Sequence, residues 1–295
     1  MVALSGEQLT VEDVWAVAVV GEQVELAEAA RERMRLARAI VTRSAHGERE
    51  HTYGINTGFG RFVSQTIPEE QTLELQLRLL RSHACGVGDP YPPDIVRAAM
   101  LLRANTLAKG NSGARVELVE LLVECLNNRV LPRVPSRGSV GASGDLAPLA
   151  HLALPLVGEG EAWVEGELLP GDKALARVGL EPVELHAKEG LSLVNGTQFM
   201  TAAGALGLVR ARRLRASADI ACAMSVEALQ GSRTSFLPQI HALRPFRGQQ
   251  ASAANVLRLI EGSAIIEAHR WCDKVQDAYS LRCAPQVHGA VRDLV

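Results

Sequence analysis

"NGTQFMTAAGALGLVRARRLRASADIACAMSVEALQ", residues 195–230, contains no proline and only isolated glycines, and its apolar positions recur at helical spacing around Arg210, Arg212, Arg213 and Arg215. The pattern predicts one long helix, about 50 Å from end to end at a rise of ~1.5 Å per residue. Helices of that length belong to extended bundles or coiled coils. Gly231 ends it, "QGSRTSFLPQIHALRPFRGQQ" (230–250) reads as a long loop, and "ASAANVLRLIEGSAIIEAHRW" (251–271) resumes the helical spacing. Upstream, Thr10 stands three residues before Asp13 in a weak capping pattern, and "VELAEAARERMRLARAIVTR" predicts a helix to about residue 43. Glycines 54, 58 and 60 deny regular structure to "HTYGINTGFGRFVSQ", and Pro68-Glu69-Glu70 then opens a helix through "LELQLRLLRSH", stopped at Gly86 and Gly88. Pro92-Pro93-Asp94 starts "IVRAAMLLRANTLAK", Gly110 ends it, and Asn111-Ser112-Gly113 leads into "ARVELVELLVECLNN". Only "GEAWVEGELLPGD" alternates, predicting a short β-hairpin that ornaments the surface. The expectation is a mainly α fold: a mostly helical head domain over 1–190 with one hairpin, then the start of a long-helix bundle over 191–295, with no internal repeat.

Composition narrows the function classes. Thirty-one basic against 33 acidic side chains leave no electrostatic footprint for nucleic acid or an anionic membrane, so a small-molecule partner is favoured. No stretch reaches about eighteen uncharged apolar residues, and "MVALSGEQLTVEDVW" lacks a basic segment followed by an apolar one; no membrane span or export signal is expected. The five cysteines, Cys85, Cys125, Cys222, Cys272 and Cys283, are odd in number and have no Cys-x-x-Cys spacing, which predicts reduced thiols in a cytoplasmic protein and no metal site.

The chemistry gathers in "GSVGASGDLAPLAH" (138–151), where three glycines, two serines and an alanine precede a helical pattern. A hydrolase elbow needs Gly-x-Ser-x-Gly after a strand, and Gly-Ala-Ser-Gly-Asp does not fit it. Glycine-rich backbone ahead of "DLAPLAHLAL" also suits an anion-binding helix N-terminus, or plain turn chemistry. A fourth reading is covalent: the amide nitrogen of Gly144 attacks the carbonyl carbon of Ala142 to close a five-membered ring, and Ser143 loses water to leave an exocyclic methylidene. Glycine leaves that nitrogen unhindered, alanine keeps the carbonyl accessible, and serine carries a small group that can be eliminated.

This stretch resembles the prosthetic-group motif of the aromatic amino acid ammonia-lyase family, and its histidine-using members in particular. "YGINTGFG" (53–60), "SHACGVG" (82–88), "RANTLAKGNSG" (103–113), "EGLSLVNGTQ" (189–198), "QGSRTSF" (230–236) and "CDKVQDAYSLRCAPQVHG" (272–289) are similar to segments of that family, in its order. The resemblance implies a methylidene-imidazolone (MIO) made autocatalytically from Ala142, Ser143 and Gly144, with no external cofactor. Protein side chains offer nucleophiles, acids and bases but no strong electrophile, so expelling an amine while removing an unactivated β-proton calls for an added electron sink. It implies ammonia elimination from L-histidine to give trans-urocanate in a cytoplasmic homotetramer. It also implies that this chain corresponds to the N-terminal portion of the family, with later segments, among them a glutamate near the base and a phenylalanine lining the pocket, outside residues 1–295.

The same resemblance assigns roles. Tyr53 matches the base that removes the β-proton; a phenol ionises near about 10 in water, so it needs positive surroundings such as helix N-termini. His83, after Ser82, matches the position that selects the substrate ring. Asn195 matches the amide that contacts the substrate carboxylate or the prosthetic ring, and as plain sequence it reads as an N-cap for the long helix. Arg282 matches the bidentate carboxylate clamp, with Gln276 beside it for binding and Tyr279 in the catalytic set; helical spacing would put all three on one face. The alternatives are a tyrosine or phenylalanine ammonia-lyase or aminomutase, disfavoured by Ser82-His83, and, from another class, a non-catalytic remnant or partner subunit. A pyridoxal phosphate enzyme would use Lys109 in "AKGNSG", which no recognisable phosphate-binding arrangement surrounds.

Overall fold

The computed structural model describes residues 1–45, 52–58, 67 and 69–295. Phe59 and Gly60 of "YGINTGFG", most of the segment that follows them and the helix-opening Pro68 lie outside the described residues. The chain divides into two compact units, Met1–Leu206 and Gly207–Val295.

In the first unit, β1 (Val2–Leu4) pairs in parallel with β2 (Val24–Leu26). Between them α1 (Val11–Trp15) is started by a reciprocal capping box, the Asp13 amide donating to Thr10 Oγ1 at 3.1 Å and the Thr10 amide to Asp13 Oδ2 at 2.9 Å, and it runs on as a π-helical turn over Ala16–Val20. The helix expected from Val24 therefore begins only at α2 (Glu28–Ala45): Val24 and Leu26 are buried on either side of exposed Glu25, and period-two alternation with a partner strand overrides the helical propensity of the run. Next come α3 (Glu69–His83), β3 (Val87–Pro90), α4 (Pro93–Ala108), α5 (Val116–Asn127), β4 (Leu131–Pro132) and β5 (Pro135–Arg137). α4 is the axis of the unit, buried on nearly all sides because its run of Ala, Met and Leu is apolar all round. Its buried Arg97 donates to the carbonyls of Val17, Ala18 and Leu126, satisfying acceptors that the neighbouring turns leave open.

After α6 (Leu146–Ala153), β6 (Glu161–Val164) and β7 (Glu167–Pro170) form the expected hairpin, but not as an ornament. β6 also pairs with β4, and Ala162 and Val164 are buried in the main core while Glu161 and Glu167 face out. The short strands hid this because two inward residues suffice to close a wall of the core. α7 (Gly171–Arg177), α8 (Glu189–Val194) and α9 (Gln198–Ala228) complete the order, and the division between the units falls inside α9.

In the second unit the stretch expected to be a long loop holds a 3-10 turn (Arg233–Phe236), α10 (Pro238–Ala242) and the first turn of α11 (Arg247–Leu259). Buried Phe236 and His241 order it. His241 Nε2 bonds the Ser235 carbonyl at 2.9 Å, while Nδ1 accepts from Gln249 at 3.0 Å. α12 (Ala264–Ala268), α13 (Tyr279–Arg282) and α14 (Ala284–Leu294) follow. Buried Asp219 on α9 accepts from Ser252 (2.5 Å) and Asn255 (2.9 Å) of α11 and from His288 (3.0 Å) and Arg292 (2.6 Å) of α14, so one carboxylate ties three helices. Burial alone would raise its pKa, but these donors outweigh it and hold the group below the usual carboxylate range. Among the described residues no helix is long and apolar enough to cross a membrane, and no group of three or more His, Cys, Asp or Glu is placed to hold a metal ion. The cysteines are free, and burial pushes the Cys125 thiol up to about 12.

α8 is fixed by a fully buried carboxylate. Glu189 accepts from Arg115 Nε and Nη2, each at 2.9 Å, and from the backbone amides of Arg115 (2.9 Å) and His186 (2.8 Å). Gln76 of α3 reaches the same helix start, its Oε1 accepting from the Gly190 amide at 2.9 Å. Burial alone would raise the Glu189 pKa; the Arg115 and backbone hydrogen bonds reverse that and bring it below the ordinary value. A depressed folded-state pKa means stability that is complete above the unfolded value and lost as pH falls through the folded one. Glu189→Gln should therefore cost about 3 kcal/mol or more, the usual penalty for leaving one buried partner unpaired, read from urea unfolding at neutral pH. The unsubstituted chain should lose this contribution only below about pH 4.5, and the difference between the two proteins should shrink there.

Candidate functional site

The Ala142-Ser143-Gly144 loop bridges β5 and α6. Residues 138–143 are exposed, Gly144 is half-buried and Asp145 is buried. Asp145 holds the loop at both ends: its amide donates to the Gly196 carbonyl at 2.6 Å, Oδ1 accepts from Ser139 Oγ at 3.0 Å, and Oδ2 accepts from the Met200 amide at 2.9 Å in the first turn of α9. A carboxylate at the start of α6 thus caps a different helix, and the N-termini of α6 and α9 are brought to one loop. Each helix N-terminus carries roughly half a positive charge. Gly144 has φ +128°, and a Cβ there would overlap the Gly196 carbonyl oxygen, so a residue with a side chain fits neither the backbone nor the space.

The floor under Gly196 is charged. Arg103 of α4, 2% exposed, donates through Nη1 to the Asn195 carbonyl and to Gln198 Oε1, both at 3.0 Å, and Gln198 Nε2 donates to Thr106 Oγ1 at 3.2 Å. Burial lowers the Arg103 pKa to about 10, which leaves the guanidinium charged at neutral pH. Asn195 ends α8 with an exposed side chain; it is not the N-cap of the long helix, which starts at Gln198. The difference comes from α8, a short helix that the sequence reading did not separate out, whose C-cap Asn195 is.

His83 sits in the last turn of α3. Its Nδ1 lies 2.9 Å from the Leu79 carbonyl and 3.1 Å from Ser82 Oγ; the carbonyl only accepts, so that contact needs a proton on Nδ1, and in the neutral ring Nε2 is then an acceptor. The segment after it is pinned to the loop's framework: the Gly86 amide donates to His151 Nε2 of α6 at 3.0 Å, and β3 pairs with β5, which leads into the loop. Burial first, and the Arg133 charge second, lower the His151 pKa, so His151 is neutral and its Nε2 lone pair is available for that bond. Tyr53 lies 50% exposed on the turn Thr52–Asn56, where Asn56 Oδ1 accepts from the Thr52 amide at 2.8 Å and buried Ile55 packs with Val41 and Ala187.

In the second unit Gln276 precedes α13 rather than sharing a helical face with Tyr279 and Arg282. The three still meet. The Arg282 guanidinium lies 4.9 Å from the Tyr279 ring centroid, and with its amide oxygen turned inward Gln276 accepts from Arg282 Nε at 3.2 Å and Nη2 at 3.0 Å. Asp277 breaks the helical reading: buried, it accepts from the Ser232 amide at 2.6 Å and pairs with Lys274 at 3.0 Å, which takes the chain out of helical register. Gln276 and Arg282 line a cavity of about 680 Å³ with Ser232, Arg233 and Thr234.

The first unit therefore assembles the triplet, Asn195 and His83 on one bonded framework, and the second gathers Gln276, Tyr279 and Arg282. Asp145, Arg103 and His151 are the site residues that the sequence reading passed over. An arginine amid "AAMLL" and "ANTLA" was the available signal for Arg103, since a lone charge in an all-apolar helix needs a buried acceptor.

Over residues 9–295 the chain matches the family model described as aromatic amino acid lyase, and it belongs to that family. It is similar to a histidine ammonia-lyase of Gloeobacter violaceus, 59% identical over 292 residues that make up 99% of this chain and 57% of that relative. Among solved structures it superposes on a histidine ammonia-lyase of Trypanosoma cruzi at TM-score 0.86 and 41% identity, covering 98% of this chain and 54% of the other. A tyrosine aminomutase of Streptomyces globisporus follows it at TM-score 0.89 and 38% identity, covering 99% and 58%. The chain thus spans a little over half the length of the relatives it matches.

Gly144→Ala should destabilise the first unit by more than ~1 kcal/mol, because the new methyl is strained in φ and meets the Gly196 carbonyl. Thermal melting checks it, and the exposed Gly141→Ala, whose added Cβ meets nothing within 4 Å, isolates the cost of the carbonyl contact from that of a positive φ.

Proposed function

We propose that the complete protein is an ammonia-lyase that converts L-histidine to trans-urocanate and ammonia, using an MIO group made from its own Ala142, Ser143 and Gly144 and no external cofactor. The observation that carries this is the loop itself: a Gly144 that tolerates no Cβ, closed against the Gly196 carbonyl and set where two helix N-termini meet. The residues fit the group, since both flanks of the triplet are tied to Asp145 while Ala142 and Ser143 stay exposed. When formed, MIO supplies the electron sink that lets an amine depart.

The chain's own residues do the rest. Tyr53 removes the β-proton. His83 Nε2 accepts from the substrate imidazole N–H, which selects a ring that can donate. Asn195 presents its amide to the substrate carboxylate or the prosthetic ring. Arg282 binds the carboxylate through its fork, held by Gln276 and backed by the ring of Tyr279, which also serves in catalysis. The head domain is 1–190 and the bundle begins at 191; the protein acts on a small molecule as a cytoplasmic homotetramer, without nucleic acid or membrane partners. The near-neutral charge and the similarity to histidine ammonia-lyases support this reading.

Two measurements test it. The intact mass should lie about 36 Da below that of the encoded chain, two waters, and Ser143→Ala should abolish the loss. Offered L-histidine, L-tyrosine and L-phenylalanine, the assembled protein should release ammonia from the first; His83→Leu should lower kcat/KM for histidine about 10- to 100-fold, the worth of one buried hydrogen bond to substrate. A preference for tyrosine would favour the aminomutase-like alternative, and an undehydrated mass would remove the lyase reading.

A further inference from the structure

The inference rests on the proposed MIO chemistry and concerns a residue outside the loop. Arg103 is a full charge in the middle of an apolar helix, near fully buried Leu101 and Ala104, and among the described residues its hydrogen-bond partners are a carbonyl and an amide oxygen, not a carboxylate. Its Nε is buried without a hydrogen bond. Burying an ion costs several kcal/mol unless its bonds are good, and a methionine of similar length would fill the same volume without that cost. What the guanidinium adds is direction. It grips the Asn195 carbonyl and the Gln198 side chain together, and Gln198 is itself held by Thr106, whose hydroxyl donates to the Leu102 carbonyl at 2.8 Å. A Cβ on Gly196 would overlap both the guanidinium and the Gln198 amide, so the corner 195–198 is seated directly on the charge. Of two consecutive carbonyls at this corner, the first belongs to Arg103 and the second, that of Gly196, to the Asp145 amide at 2.6 Å. The peptide carrying that amide follows Gly144.

We infer that Arg103 is a positioning residue for closure of the Ala142–Gly144 ring: by holding the Asn195 carbonyl and the Gln198 side chain, it fixes the corner from which the Gly196 carbonyl holds the Asp145 amide, and so the place of the Gly144 nitrogen in the loop. The closure balances without oxidant or reductant. The bond between the Gly144 nitrogen and the Ala142 carbonyl carbon forms, the Ala142 oxygen leaves as water with the protons of the Gly144 and Ser143 amides, and a second water takes the Ser143 hydroxyl and α-proton. Misplacing reacting atoms by about 1 Å costs up to 100-fold in rate, so loss of the grip should slow closure by at least about tenfold.

The test is the fraction of the assembled protein lighter by about 36 Da at a fixed time after synthesis, read by intact mass with circular dichroism and melting as the check on folding. Arg103→Met should fold and remain largely undehydrated. Arg103→Lys keeps the charge but spans only one of the two oxygens, and its rate should fall between methionine and arginine. Leu118→Ala, a cavity in the same core on α5, should lower the melting temperature while leaving dehydration complete, which separates positioning from plain destabilisation. If folded Arg103→Met, or folded Arg103→Lys should methionine fail to fold, dehydrates at the unsubstituted rate, the inference is overturned and the lyase reading stands. An unsubstituted protein of full mass overturns both.

Discussion

The candidate site depends on one aspartate doing three jobs, two through its carboxylate and one through its amide. Asp145 closes the glycine-rich loop through Ser139, caps α9 through Met200, and presents its own amide to Gly196. Helix starts leave unsatisfied donors that need an acceptor, and here the acceptor for one helix is supplied from the start of another. The arrangement also explains the local composition: glycine at 144 because a carbonyl occupies the space of a side chain, and small exposed residues from 138 to 143 because the ends of the segment are already tied.

Beneath this lies a set of buried charges that hold secondary structure in place. Arg97 and Arg103 stand in one helix and serve carbonyls on different neighbours, Glu189 secures the start of α8, and Asp219 joins three helices of the second unit. Glu189 and Asp219 each accept four hydrogen bonds, whereas Arg103, among the described residues, donates through Nη1 alone. The apolar core supplies the driving force, and these polar anchors choose which of many similar helix arrangements the core adopts.

The sequence carried the helices well where their ends are chemically marked. The Thr10–Asp13 box, Pro93 and the runs closing at Ala108 and Asn127 all appear where propensity and capping put them. It failed where tertiary contacts decide. Val24–Leu26 becomes a strand because a partner strand lies beside it, the 230–250 stretch curls into short helices around Phe236 and His241, and the hairpin is drawn into the core by Ala162 and Val164. At the site, resemblance singled out the triplet, His83 and Arg282, while Asp145 and Arg103 stayed invisible because their work is defined by the neighbours they reach across more than fifty residues of chain.

The orientation of His83 carries a consequence for discrimination among modified rings. With Nδ1 donating to the Leu79 carbonyl, Nε2 of the neutral ring receives a hydrogen and has none to give. On the proposed function, a neutral substrate imidazole has one N–H in all, so methylating either ring nitrogen removes the hydrogen that this contact needs, and methylating the facing one also brings a methyl into it. Both neutral N-methyl isomers of histidine would then be refused on account of a backbone carbonyl that touches neither of them.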